Sequence, residues 1–223
     1  RTMRFGQAID DALACAMAED PAIVVMGEDV PLIRRDLLVR FGPRRVLGTP
    51  ISERAFLWAP VSAAMAGLHP VVELYMADFV GVCLDALLNH AAKLEAFSGG
   101  TWNAPMVVRV PCGGGYGDGG QHEQALWGLL GHIPGLCVVV PSNPADAGGL
   151  MLAALAHNGP VVYMEHKLLS ESMLDSLGTG GRRNLALDVP SAGARGAVPD
   201  RWAPLPLGLA SCVREGSDIT IAS

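Results

Sequence analysis

Residues 48–79 read GTPISERAFLWAPVSAAMAGLHPVVELYMADF, and the order of structure inside this stretch decides the fold. Pro50 pushes Thr49 out of the α region, so the chain enters extended, and Ser52 is placed to cap a helix starting at Glu53. Phe56, Leu57, Val61, Ala64, Met65 and Leu68 recur at three- and four-residue spacing. This predicts a helix over residues 53–66, with Gly67 as C-cap and His69-Pro70 as its stop. Residues 71–75, VVELY, then read as a strand. The macrodipole favours a carboxylate in a first helical turn, so Glu53 taken alone has a sufficient local explanation.

Working outward, IVVM at 23–26 and MVVRV at 106–110 are short apolar strands. Gly27-Glu28-Asp29 follows the first, and Pro111 with a glycine-rich loop running to Gln121-His122 follows the second. Helices are expected over 5–17, 36–41, 78–97, 123–130 and 145–156, and further strands over 137–140 and 161–164. Strands separated by helices imply an α/β fold with a mainly parallel sheet and helices on both faces. In such sheets ligands sit outside the carboxyl ends of the strands. That placement gathers Glu28, Phe79 and His122 on one edge, with Glu53 close by.

Composition bounds the remaining possibilities. Of 223 residues, 50% are hydrophobic and 17% charged, and the net charge is −6, which disfavours both disorder and charge-driven nucleic-acid binding. The five cysteines, at 15, 83, 112, 137 and 212, have no CxxC spacing. They argue against a disulfide framework or structural zinc and suit a reducing cytoplasm as small core residues. The longest uncharged apolar stretch, residues 55–68, is too short for a bilayer, and no signal-peptide pattern opens the chain, so no membrane association is expected. Gly115, Gly117 and Gly120 satisfy G-x-G-x-x-G, but the next strand ends in VPSN without the acid a dinucleotide ribose requires. A flexible loop that brings the backbone near a ligand and delivers His122 is the better reading. His90, His132 and His166 read as structural, Asp118 as turn chemistry, and Trp58, Trp102 and Trp127 as packing residues. After Leu169 the chain turns rich in Gly, Pro, Ser and Arg. The expected organisation is therefore one domain over 1–203, with a loosely laid linker from about 170. Residues 204–223 would be the linker end and the first strand of a further domain.

Several motifs in order carry a resemblance: GEDV at 27–30, TPISE at 49–53, AAMAGLHPVVEL at 63–74, Asp78 through NHAAK at 89–93 to SGG at 98–100, GQHEQ at 120–124, HIPGLCVVVPSNPADAGGL at 132–150 and PVVYMEHKLL at 160–169. Together they resemble the β subunit of the thiamine-diphosphate-dependent 2-oxoacid dehydrogenases of the pyruvate, branched-chain and acetoin type. The similarity runs continuously over about residues 5–170 and resumes at 204–208 and 215–221.

The resemblance implies a transketolase-like pyrimidine-binding domain that binds thiamine diphosphate at the interface with an α subunit in an α2β2 heterotetramer. It implies Glu53 at the pyrimidine nitrogen, Phe79 on the ring face and Glu28 behind them, with Ile51 and Tyr75 lining the cofactor and His122 acting on the substrate side. It assigns magnesium and the diphosphate to the α subunit, no metal to this chain, a small 2-oxo acid as substrate and a lipoyl acyltransferase as acceptor. The chain would be an oxidoreductase subunit inactive alone. Three features depart from the family pattern: a shortened loop over 31–40, a helix-interior proline at 60, and His157 and Gly159 in the turn where the family holds potassium. A split transketolase-like subunit, and a non-catalytic subunit that keeps the fold, are the alternative readings.

Overall fold

The computed structural model describes residues 1–114, 119–170, 191–210, 212 and 214–221. Six strands form one sheet: β2 (Ile23–Gly27), β3 (Val46–Gly48), β4 (His69–Glu73), β5 (Met106–Cys112), β6 (Cys137–Val139) and β7 (Pro160–His166). Their order is β3-β2-β4-β5-β7-β6, and every neighbouring pair is parallel. A separate antiparallel ribbon pairs β1 (Thr2–Arg4) with β8 (Arg195–Ala197).

The central strands are apolar throughout because both faces are covered. Successive side chains point to opposite sides, so Val71, Val107 and Val161 enter one core while Val72, Val108 and Val162 enter the other. The first core is built with α1 (Phe5–Glu19), the one-turn α2 (Val30–Ile33), α3 (Arg35–Phe41) and α8 (Pro144–Ala156). The second is built with α4 (Glu53–Met65), the helical run over 77–97 and α7 (Trp127–Gly131).

The quoted stretch folds largely as its pattern requires. Helix α4 starts at Glu53, and Gly67, at φ +93°, closes it. The Gly67 N–H donates to the Ala64 carbonyl and the Leu68 N–H to the Ala63 carbonyl, both at 3.0 Å, the paired bonds of a glycine-terminated helix. The Ser52 side chain makes no capping bond; its carbonyl instead accepts from Ala55 and Phe56. The helix continues through the buried Pro60, which offers no N–H to the Phe56 carbonyl. Strand β4 begins two residues earlier than its composition suggests, because His69 N–H already donates to the Ala22 carbonyl. Pro111 is tolerated inside β5 because the β4–β5 ladder ends at Arg109, leaving no strand beside the missing donor.

Other expectations are corrected. The helix expected over 78–97 is broken into a 3-10 turn Ala77–Phe79, α5 (Val80–Asp85), a π-turn Ala86–His90, a 3-10 turn Ala91–Lys93 and α6 (Leu94–Phe97). Helix α7 begins at Trp127 rather than 123, because Gln124 is engaged in a loop contact described below. Trp58, Trp102 and Trp127 are partly exposed, at 37%, 55% and 42%. Cys83 and Cys112 are buried, whereas Cys15 and Cys212 are exposed, and all five cysteines are free.

The segment expected to lie loosely is strapped down in its described part. A one-turn helix, α9 (Ser191–Ala194), leads into β8. Trp202 Nε1 then donates to Asp11 at 2.7 Å, and the Leu205 N–H donates to the Gly149 carbonyl at 3.1 Å. Gly148 and Gly149 on α8 leave the room this requires: a Cβ on Gly148 would stand 2.2 Å from the Trp202 ring and one on Gly149 2.7 Å from Leu205. Residues 218–221 pair with no strand among the described residues, and Ile219 and Ile221 are exposed. Residues 115–118, with Gly115, Gly117 and Asp118, and most of the expected linker, 171–190, lie outside the described residues. No helix among the described residues is long and apolar enough to cross a membrane.

Candidate functional site

The carboxyl ends of β2, β3, β4 and β5 form the edge on which the sequence places its acids and its histidine. Gly27 closes β2 at φ +154°, where a Cβ would stand 2.4 Å from the Glu73 carbonyl; only glycine allows the strands to approach this closely. Glu28 follows, half-buried, on a turn that Asp29 completes in the left-handed region. Glu53, also half-buried, opens α4.

The two carboxylates feel each other. Burial pushes the Glu28 carboxyl up, and the charges of Glu53 and then Asp29 push it further in the same direction. Burial, then the same Glu53 charge, raises the Cys83 thiol to about 12. Glu53 therefore lies between the β2 turn and α5. Its carboxylate makes no hydrogen bond or ion pair with the described residues.

Phe79 and His122 meet at this edge, with ring centroids 5.5 Å apart and planes at 79°. His122 sits on the loop joining β5 to α7. Next to Phe79, the Asp78 carboxylate accepts from Gln124 Nε2 at 2.7 Å and from the Gln124 N–H at 3.4 Å. The fully buried Lys167, just past β7, donates from Nζ to the His122 carbonyl.

Tyr75 lies two residues beyond the end of β4. Its hydroxyl turns inward, donating to Glu73 and accepting from Arg34 Nη2 at 3.2 Å. Ile51 stands 78% exposed on the turn before α4. His90 packs its ring against Trp58 at 4.7 Å, and His166 lies against Gly113 at the foot of the loop. Burial, and then the nearby Lys167 charge, lower the His166 pKa.

Sequence reasoning missed the buried charge network that Tyr75 joins. Arg34 donates to Glu73 at 2.6 Å and to Asp10 at 3.2 Å; Arg109 donates to Glu165 at 2.6 and 3.2 Å and to Asp10 at 2.7 Å, and lies 3.6 Å from Glu73. Burial alone would raise the Glu73 carboxyl, but the guanidiniums of Arg34 and Arg109 outweigh it and hold it at about 2. A signal was present: Glu73, Arg109 and Glu165 each interrupt an otherwise apolar parallel strand, and charges in such strands require partners. No group of three His, Cys, Asp or Glu side chains among the described residues could hold a metal ion.

A parallel α/β domain that places acids, an aromatic ring and a histidine outside its strand ends is of the kind that binds a ligand at its carboxyl edge. Residues 1–172 match the family model described as "Transketolase, pyrimidine binding domain", and the chain belongs to this family. Its sequence is similar over nearly its whole length to several β subunits. It is 36% identical to the acetoin:2,6-dichlorophenolindophenol oxidoreductase subunit beta of Bacillus subtilis, covering 99% of this chain and 64% of the relative. It is 35% identical to the pyruvate dehydrogenase E1 component subunit beta of Rickettsia felis, covering 97% and 62%. It is 34% identical to the 2-oxoisovalerate dehydrogenase subunit beta of Pseudomonas aeruginosa, covering 99% and 63%. The chain thus spans somewhat less than two thirds of the length of these relatives. Among solved structures, a split-gene transketolase described as an inactive beta4 tetramer shares the fold, with a TM-score of 0.60 at 22% identity over 74% of this chain and 51% of that one.

Proposed function

We propose that this chain carries the pyrimidine-binding domain of the β subunit of a thiamine-diphosphate-dependent 2-oxoacid or acetoin dehydrogenase. The observation that carries the reading is Glu53, unpaired among the described residues and close enough to Glu28 for its charge to act there, on the same carboxyl edge of the sheet as the Phe79–His122 ring pair. The residues present fit an aminopyrimidine. A carboxyl group with no partner among the described residues is free to share a proton with a ring nitrogen, and Phe79 offers a flat partner for the ring. Thiamine diphosphate, when bound, supplies the electron sink for the bond to the departing carboxyl group.

The chain's own residues do the rest. Glu53, at the start of α4, exchanges a proton between its carboxyl oxygen and the pyrimidine nitrogen, with Glu28 behind it on the β2 turn. His122 faces the substrate side and holds or delivers a proton there. Ile51, exposed on the turn before α4, and the ring of Tyr75 border the cofactor. We assign the diphosphate and its magnesium to an α subunit, the partner that the subunit-beta names of the relatives suggest. We assign an α2β2 assembly, a lipoyl acyltransferase as acceptor and, from the five free cysteines, the reducing cytoplasm as compartment.

The test is Glu53→Gln in the β subunit reconstituted with its α partner. Turnover of 2-oxo acids to lipoamide should fall by about 10²- to 10⁴-fold with the melting temperature unchanged. Unchanged turnover overturns the role of Glu53, and activity on sugar phosphates instead of 2-oxo acids points to a transketolase-like subunit.

A further inference from the structure

His122 stands on a loop, yet the role given to it above needs its imidazole in one place. The structure shows what holds it. Lys167 ties together two points of the loop: its N–H donates to the Cys112 carbonyl at 2.9 Å, where the loop begins, and its ammonium donates to the His122 carbonyl. A lysine with no exposed surface is costly to bury, and a charge-assisted bond to a backbone carbonyl fixes that carbonyl more firmly than a neutral donor does. Two residues beyond His122, Gln124 is bonded twice to Asp78, and its carbonyl accepts from the Gly113 N–H at 3.4 Å. Asp78 is the residue before Phe79. The same carboxylate therefore connects the backbone carrying Phe79 to the backbone carrying His122, whose rings meet at 5.5 Å.

We propose that Lys167 and the Asp78–Gln124 pair are positioning residues that hold the His122 imidazole against the edge of Phe79 and so set where its proton is delivered. The geometric part stands on the contacts above; the catalytic consequence rests on the proposed function. None of these three side chains needs to touch substrate. Their effect passes through the loop, which has no regular structure of its own between Cys112 and Trp127 among the described residues.

The experiment is NMR of the histidine ring protons in the full chain. The His122 signal is assigned by its loss in His122→Gln, and its ring-current displacement by its dependence on Phe79 in Phe79→Leu. In Lys167→Met and in Gln124→Ala the Phe79-dependent displacement of His122 should be lost, while the signals of the other histidines stay in place and unfolding stays cooperative. In the complex reconstituted with its α partner, the same variants should lower kcat by about 10²-fold with little change in KM. A purely structural lysine would lower the melting temperature and leave the His122 displacement intact, and that result overturns the proposal. Should Lys167→Met fail to fold, Gln124→Ala, at an exposed residue, decides alone. A lost displacement in a protein whose wild type never decarboxylates a 2-oxo acid supports the positioning and overturns the proposed function instead.

Discussion

Glu73→Gln changes one atom and removes the central negative charge of the buried network. Arg34 and Arg109 are then left, with side chains 5% and 1% exposed, facing Glu165 and the more exposed Asp10. Arg34 then faces a neutral amide where it had a carboxylate oxygen at 2.6 Å. Two routes give the size of the effect. The Glu73 carboxyl falls from an ordinary value of 4.5 to about 2 in the folded chain, and at 1.36 kcal/mol per tenfold change this corresponds to about 3 kcal/mol. Removing one member of a buried ion pair costs about 3–5 kcal/mol, because a buried charge is left uncompensated. The expected loss is therefore about 3 kcal/mol at neutral pH, or a melting temperature lowered by about 6–12 °C for a chain of this size. The folded value lies below the unfolded one, so this stability is complete above pH 4.5 and is lost as the pH falls towards 2. Urea unfolding of the wild type and Glu73→Gln across that range measures the difference directly. A variant as stable as the wild type at neutral pH, or a difference that does not shrink in acid, would refute the reasoning.

Three further outcomes are expected. Glu28→Gln should raise the melting temperature at neutral pH, because a carboxyl raised by burial and by Glu53 stabilises the fold only while protonated; the gain should vanish below pH 4.5, and a gain independent of pH would exclude this cause. Gly148→Ala should displace Trp202 from α8 and break its bond to Asp11, an overpacking cost of about 1–3 kcal/mol; unchanged tryptophan emission and unchanged proteolysis after residue 194 would contradict it. Thiamine diphosphate with magnesium should raise the melting temperature of this chain alone by no more than about 2 °C, since a ligand at or below its Kd contributes at most about 0.4 kcal/mol; a larger shift would place the diphosphate site on this chain.

Local pattern determined a great deal here. Apolar runs such as IVVM and MVVRV, buried on both faces, and helical periods between them specify a parallel sheet, because each element must bury its own apolar surface whatever its neighbours are. Helix α4 and its Gly67 terminus were legible for the same reason: the period, the glycine and the proline act within a few residues of one another. The positions of Glu28, Glu53, Phe79 and His122 at one edge followed from strand direction alone.

Only the tertiary structure decided what depends on residues far apart in the chain. Residues 123–126 leave the helical path because Gln124 is bonded to Asp78, 46 positions away. The Tyr75 hydroxyl points into the interior because Arg34, on the other side of β4 in sequence, brings a guanidinium to it. The segment after β8 is held by Trp202 and Leu205, whose seats exist only where Gly148 and Gly149 of α8 leave room for them. In each case a side chain chooses between solvent or a local partner and a distant one that desolvation makes stronger, and that choice is made only when the elements come together.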